Sequence, residues 1–175
     1  AEACAETNAP TTSTTLMIAL GDALAVALLE AKGFKADHFK VFHPGGKLGA
    51  MLRTAADVMH ASAELPVVRS GTLFIDGVKA MSAKGFGVLG VVWPDGKLAG
   101  IVTDGDLRRY LTAGRTAAVI DEVMTKSPQT ATPDSLAADV LRSMNERKIT
   151  QIFVVDAGKP VGLIHMHDLL KSGLA

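Results

Sequence analysis

One cysteine, one tryptophan and one tyrosine occur in 175 residues, and aromatic side chains make up 5% of the chain. The lone thiol, Cys4, forms no internal disulfide and brings no second sulfur to a metal site, which fits a reducing compartment and points to the cytoplasm. Charge of one sign is also missing: 18 basic residues balance 18 acidic ones, so no overall field draws the protein to nucleic acid. Read this way, no apolar run approaches the roughly 18 residues of a membrane span, and a membrane is not expected as a partner. No basic segment, apolar core and cleavage site mark a secretory leader. The first residue is alanine, which suggests a fragment or a processed start. What remains, 48% hydrophobic and 21% charged residues, is the composition of a soluble globular protein.

What is present is a duplication. Asp57-Val58-Met59, followed by Gly100-Ile101-Val102-Thr103-Asp104-Gly105-Asp106-Leu107, returns as Glu122-Val123-Met124, followed by Gly162-Leu163-Ile164-His165-Met166-His167-Asp168-Leu169. The first elements lie 65 residues apart and the second 62, a spacing too regular for coincidence. Repeats of about 60 residues are marginal alone, so the two should fold against each other and leave a cleft between them.

Each copy reads as helix, strand, strand, helix. In the first, helix 72–84 precedes strand 87–93, a turn at Pro94-Asp95-Gly96-Lys97, strand 98–102 and helix 104–112. The second runs through helix 135–147, strand 151–155, a turn at Asp156-Ala157-Gly158-Lys159, strand 161–164 and helix 167–172. Thr103 and Asp106 have the i, i+3 spacing of a capping box. Arg108 and Arg109 follow on the same helix, as a solvated face or as partners for a phosphate. The second copy keeps Asp168 but has His165 where the first has Thr103. His165 and His167 alternate, so on a strand they would point to one side; no carboxylate or thiol is clearly placed beside them, and no metal site is assigned. Met81, Met124 and Met144 read as core filler, and Trp93, beside Pro94, as packing.

The N-terminal third differs. From Leu16 to about Lys32 the chain is rich in Ala and Leu, with apolar positions nearly all round a helix and only Asp22, Glu30 and Lys32 demanding water. Such a helix needs neighbours on several sides, which residues 1–55 do not supply. Hydroxyls between Pro10 and Thr15 offer caps, Gly33 offers a stop, and Ala36-Asp37-His38-Phe39 could open a short helix. Next comes His43-Pro44-Gly45-Gly46-Lys47-Leu48-Gly49. Pro44 holds His43 extended, and the two glycines permit a tight turn that displays the imidazole at a loop mouth.

Taken in order, the threonine-rich Ala9–Thr15 stretch, Gly21-Asp22-Ala23-Leu24-Ala25, the His43 loop and the repeated pair resemble the C-terminal part of bacterial arabinose-5-phosphate isomerases. The resemblance covers essentially the whole chain. It implies an α/β (α+β) architecture: a tandem CBS-module pair, two small β-sheets with helices related by a pseudo-twofold, preceded by the helical tail of a sugar isomerase (SIS) domain. The implied boundaries are 1–55 for the tail, 56–116 for the first module and 117–175 for the second.

The implied activity of the parent enzyme interconverts D-ribulose 5-phosphate and D-arabinose 5-phosphate for Kdo and lipopolysaccharide or capsule synthesis. A base takes the proton beside the carbonyl, an enediol forms, and the proton returns on the neighbouring carbon. The family's histidine falls on His43 and one of its glutamates on Glu2, while its lysine and phosphate loop would lie upstream, so this chain alone should be inactive. In nucleotide-binding CBS modules the positions of Thr103, Asp106 and Asp168 contact phosphate or ribose. The implied ligand is a regulatory nucleotide or nucleotide sugar (AMP, ATP or CMP-Kdo), with no required cofactor. The implied partners are the sugar phosphate and further copies of the chain, as a dimer of CBS pairs and a tetramer of the parent. Two other readings stay open: a stand-alone nucleotide sensor, and a dimerisation device with an empty cleft.

Overall fold

A computed structural model describes residues 2–3, 6–7, 9–34, 52–61 and 64–174. The chain divides into two units, Ala1–Pro44 and Gly45–Ala175. His43 and the short helix expected from Ala36 lie outside the described residues.

In the first unit, helix α1 spans Thr12–Ala31, starting four residues before the expected Leu16. The threonines join the helix because Thr14 and Thr15 donate their hydroxyls to the Thr11 carbonyl at 2.9 Å each. At the other end Gly33 takes φ +60°, and the Phe34 N–H reaches back to the Leu29 carbonyl at 2.9 Å, which closes the helix. No residue of α1 is buried, and Leu16, Met17 and Ile18 are each more than 60% exposed. The expectation that no run is long and apolar enough for a membrane span does not hold by length and composition: within the 20-residue helix an 18-residue window reaches a mean hydropathy of 1.7. Asp22 and Glu30 are the only charges in it, too few to lower that average.

The second unit is built from the duplication. Its elements are α2 (Ala55–Val58), β1 (His60–Ala61), β2 (Val67–Arg69), α3 (Phe74–Lys84), β3 (Val88–Val92), β4 (Leu98–Thr103), α4 (Asp104–Thr112), β5 (Thr125–Lys126), β6 (Thr130–Ala131), α5 (Ala137–Arg147), β7 (Gln151–Asp156), β8 (Lys159–His165) and α6 (Met166–Leu169). After α6 the chain continues in a wider π-type turn over Leu170–Leu174.

Two sheets result, in the orders β2-β3-β4-β5 and β1-β8-β7-β6. In each, a short parallel strand flanks the expected hairpin: β2 on β3, and β6 on β7. The fourth strand is exchanged. β1, the leading strand of the first copy, pairs antiparallel with β8 of the second, while β5, the leading strand of the second copy, pairs with β4 of the first. The repeated motifs therefore meet crosswise. Met59 lies where a Cβ on Gly162 would project, and Met124 does the same at Gly100, so a glycine is required at each point of approach. Two-residue strands without alternation carry no periodic signal, which is why the exchange was not legible.

The helices bury one face each. In α5 that face is Ala137, Val140, Leu141 and Met144, with i, i+3, i+4, i+7 spacing; α3 uses Phe74, Gly77, Val78 and Met81. Gly77 replaces an apolar side chain because Ile120 fills the space, 2.9 Å from where a Cβ would sit. Leu89, Val91 and Val102 meet α3 and α4 on one face of their sheet, and Ile152, Val154 and Ile164 meet α5 on theirs. A third cluster, Leu65, Val88, Phe153 and Leu163, joins the two copies. At its centre the Phe153 ring packs on Gly90, where a Cβ would come within 3.0 Å. Met81 and Met144 are core residues as expected, but Trp93 is 46% exposed and packs only in part.

Candidate functional site

Strand β4 ends at Thr103, and the next residues turn into α4 because Thr103 and Asp106 cap it. The Asp106 N–H donates to Thr103 Oγ1 at 3.2 Å; the Thr103 N–H and hydroxyl both donate to Asp106 Oδ2, at 2.9 and 2.6 Å. Asp106 Oδ1 takes Arg109 as an ion-pair partner one turn later. The carboxylate is 12% exposed while the arginine is 73% exposed, so the acid is held within the cap and the guanidinium faces solvent. Asp104 packs over Gly87, whose φ of +68° and missing side chain admit it.

This capped turn forms one wall of a cleft of about 700 Å³. Thr103, Asp106, Arg108 and Arg109 all line it, so four of the residues expected at a ligand site come together. The opposite wall comes from the second copy and was missed by sequence reasoning: Thr125, Ser127, Gln129, Lys148, Thr150 and Gln151. A signal did exist. Ser127 and Lys148 adopt φ of +52° and +54°, and the third such non-glycine residue among the described residues, Ala157, sits in the β7–β8 turn that demands it. Lys148 ends α5 where Gly85 ends α3, both left-handed, so aligning the copies exposes a lysine at a glycine position. Left-handed backbone in residues with a Cβ is costly and gathers at functional sites. Chemically the cleft offers an aspartate, hydroxyls and backbone N–H groups of a helix start, and cations from both copies, a set suited to an anionic ligand with hydroxyls.

Asp168 is not part of this cleft. His165 replaces threonine as the cap of α6, its Nδ1 accepting from the His167 N–H at 3.2 Å. Asp168 instead meets His60 Nε2 at 2.9 Å. His165 and His167 do not share a strand face, because β8 ends at His165 and α6 begins at Met166; their rings stack 5.0 Å apart. Burial, and then His167, hold the His165 pKa below its usual value. Among the described residues no cluster of three His, Cys, Asp or Glu side chains could hold a metal ion.

Glu2 serves α1. Its carboxylate accepts from the Thr11 N–H at 2.8 Å and the Ser13 N–H at 3.2 Å, supplying the cap that the Thr11 side chain does not. Hydrogen bonds from the Ser13 side chain and from the Thr11 and Ser13 backbone lower its pKa to about 2.

The CBS domain model matches residues 55–113 and 120–174. The chain belongs to the CBS domain family. This CBS pair superposes on CBSX2, a protein of Arabidopsis thaliana, in its complex with AMP: TM-score 0.61 at 27% identity, over 69% of this chain and 96% of that one. Among curated proteins the chain is 49% identical over 177 residues to the arabinose 5-phosphate isomerase KdsD of Pseudomonas aeruginosa, and 42% identical over 176 residues to that of Salmonella typhi. Each alignment takes in 99% of this chain and 54% of the relative, so the CBS pair and its preceding segment span about half the length of the curated relatives they match. The resemblance read from the sequence motifs is thereby borne out.

Proposed function

We propose that this CBS pair is the regulatory and assembly region of an arabinose-5-phosphate isomerase, and that it binds an anionic nucleotide or nucleotide sugar in the cleft at Thr103 and Asp106. The observation that carries the reading is the joint lining of that cleft. An anchored carboxylate and a helix start from one copy face Lys148 from the other, so one ligand would tie both copies together. Asp106 would accept from sugar hydroxyls, and Arg108, Arg109 and Lys148 would meet phosphate. CBSX2, solved with AMP, supports the adenine nucleotides as candidates; the isomerase relatives support CMP-Kdo.

In this reading residues 1–55 are the tail of a sugar isomerase domain. The support is α1, apolar on most faces and without a buried residue. His43 and Glu2 would serve the aldose–ketose chemistry on a sugar phosphate in the whole enzyme, a cytoplasmic homo-oligomer assembled as a tetramer through dimers of CBS pairs. Most of the isomerisation machinery lies in this reading outside the 175 residues.

Thermal-shift measurements on the 175-residue chain with AMP, ATP, CMP and CMP-Kdo test the ligand. A binder at 100 times its dissociation constant should stabilise the pair by about 2.7 kcal/mol. Absence of a shift with all four would favour a purely structural dimerisation role.

A further inference from the structure

The register of the sheets places His60 opposite Leu163 and Thr125 opposite Ile101. His60 thus holds in the second sheet the position that a cleft-lining threonine holds in the first. Its neighbourhood changes with it. Gln129, four residues after Thr125, becomes Glu64; Ile149, after left-handed Lys148, becomes Phe86, after left-handed Gly85; Asp106 becomes Asp168.

At the first sheet these positions line a cleft, and at the second sheet they contact one another. His60 Nε2 lies 2.9 Å from Asp168 Oδ2 and Nδ1 lies 3.0 Å from Glu64 Oε2. The Phe86 ring meets the imidazole edge-on, centroids 4.9 Å apart. An imidazole between two carboxylates can satisfy both only as imidazolium, when each ring nitrogen donates. The neutral ring donates once and turns a lone pair toward the other carboxylate. Glu64, 63% exposed, is the weaker arm; Asp168, 31% exposed, is the stronger.

We propose that His60 is a proton-operated latch: as imidazolium it clasps Asp168 and Glu64, ties β1 to α6 and withholds Asp168 from any ligand, and on losing its proton it releases one arm. The groups facing it are Asp168 from α6, Glu64 from the segment after β1, and His165 from the end of β8, with uncharged Phe86 from the α3–β3 connection. The hydrogen bond to Asp168, aided by Glu64 and opposed by burial, raises the His60 pKa above 6.5. The latch contributes fully below the ordinary histidine value of about 6.5 and is lost as pH rises through the raised folded pKa of His60.

Imidazole NMR titration of the 175-residue chain, assigned with His60→Gln, tests this directly. His60 should titrate above 6.5 in the parent chain and lower in Asp168→Asn. The Tm difference between parent and His60→Gln should be larger at about pH 6 than at about pH 8. A His60 midpoint at or below 6.5, unmoved by Asp168→Asn, or a Tm difference independent of pH, would overturn the latch. No nucleotide enters the test, so failure of the nucleotide reading leaves its result unaffected.

Discussion

Thr103 and His165 end equivalent strands, yet one caps its helix through a hydroxyl that anchors Asp106 at a cleft wall, and the other leaves its aspartate to a histidine from the opposite copy's leading strand. Gly90 and Phe153 show the same relation in the core, where equivalent strand positions hold nothing and a phenyl ring, and the ring fills the gap. Two identical copies would put the same side chain against itself at such points. Divergence removes the clash and, at the cleft, leaves one site open and binds the other to itself. The duplication therefore supplies the frame, and the differences between the copies decide which positions line the cleft and which pair with each other.

Phe153→Ala should give the largest effect, because the ring is 1% exposed and the Gly90 surface cannot collapse onto an alanine. A loss of about 3–5 kcal/mol in denaturant unfolding is expected; a loss under about 1 kcal/mol would mean that the copies do not depend on this asymmetric contact. Thr103→Ala removes the hydroxyl arm of the α4 cap and should cost about 1 kcal/mol, measured the same way. Lys148→Gly sharpens the comparison from the other side. It restores the residue type found at Gly85, relieves the left-handed backbone and should stabilise by somewhat under 1 kcal/mol, while weakening nucleotide binding. A variant that is both more stable and equally good at binding would remove Lys148 from the site.

The hairpins, α3, α4 and α5 were legible in the sequence because turn chemistry and 3.6-residue spacing are local. Thr103 with Asp106 was legible for the same reason, the capping box being a pattern within four residues. The exchange of β1 and β5 was not, since pairing of two-residue strands is decided by Met59 on Gly162 and Met124 on Gly100, contacts more than 20 residues apart in sequence for one pair and about 100 for the other. That exchange also explains why the cleft's second wall went unread: Thr125 reaches it as the fourth strand of the first copy's sheet. Asp168 was assigned to a ligand site by its likeness to Asp106, and the structure gives it to His60 because His165 cannot donate a hydroxyl to hold it in place.

The claim that one copy's aspartate belongs to a ligand site and the other's to the protein itself is tested most directly by nucleotide titration calorimetry on three chains: the parent, Asp106→Ala and Asp168→Ala. With whichever of AMP, ATP, CMP or CMP-Kdo binds the parent, Asp106→Ala should weaken affinity by about tenfold or more, the worth of a hydrogen bond to a charged group, and Asp168→Ala should leave it within about twofold. The reverse pattern, or equal losses in both variants, would contradict the account.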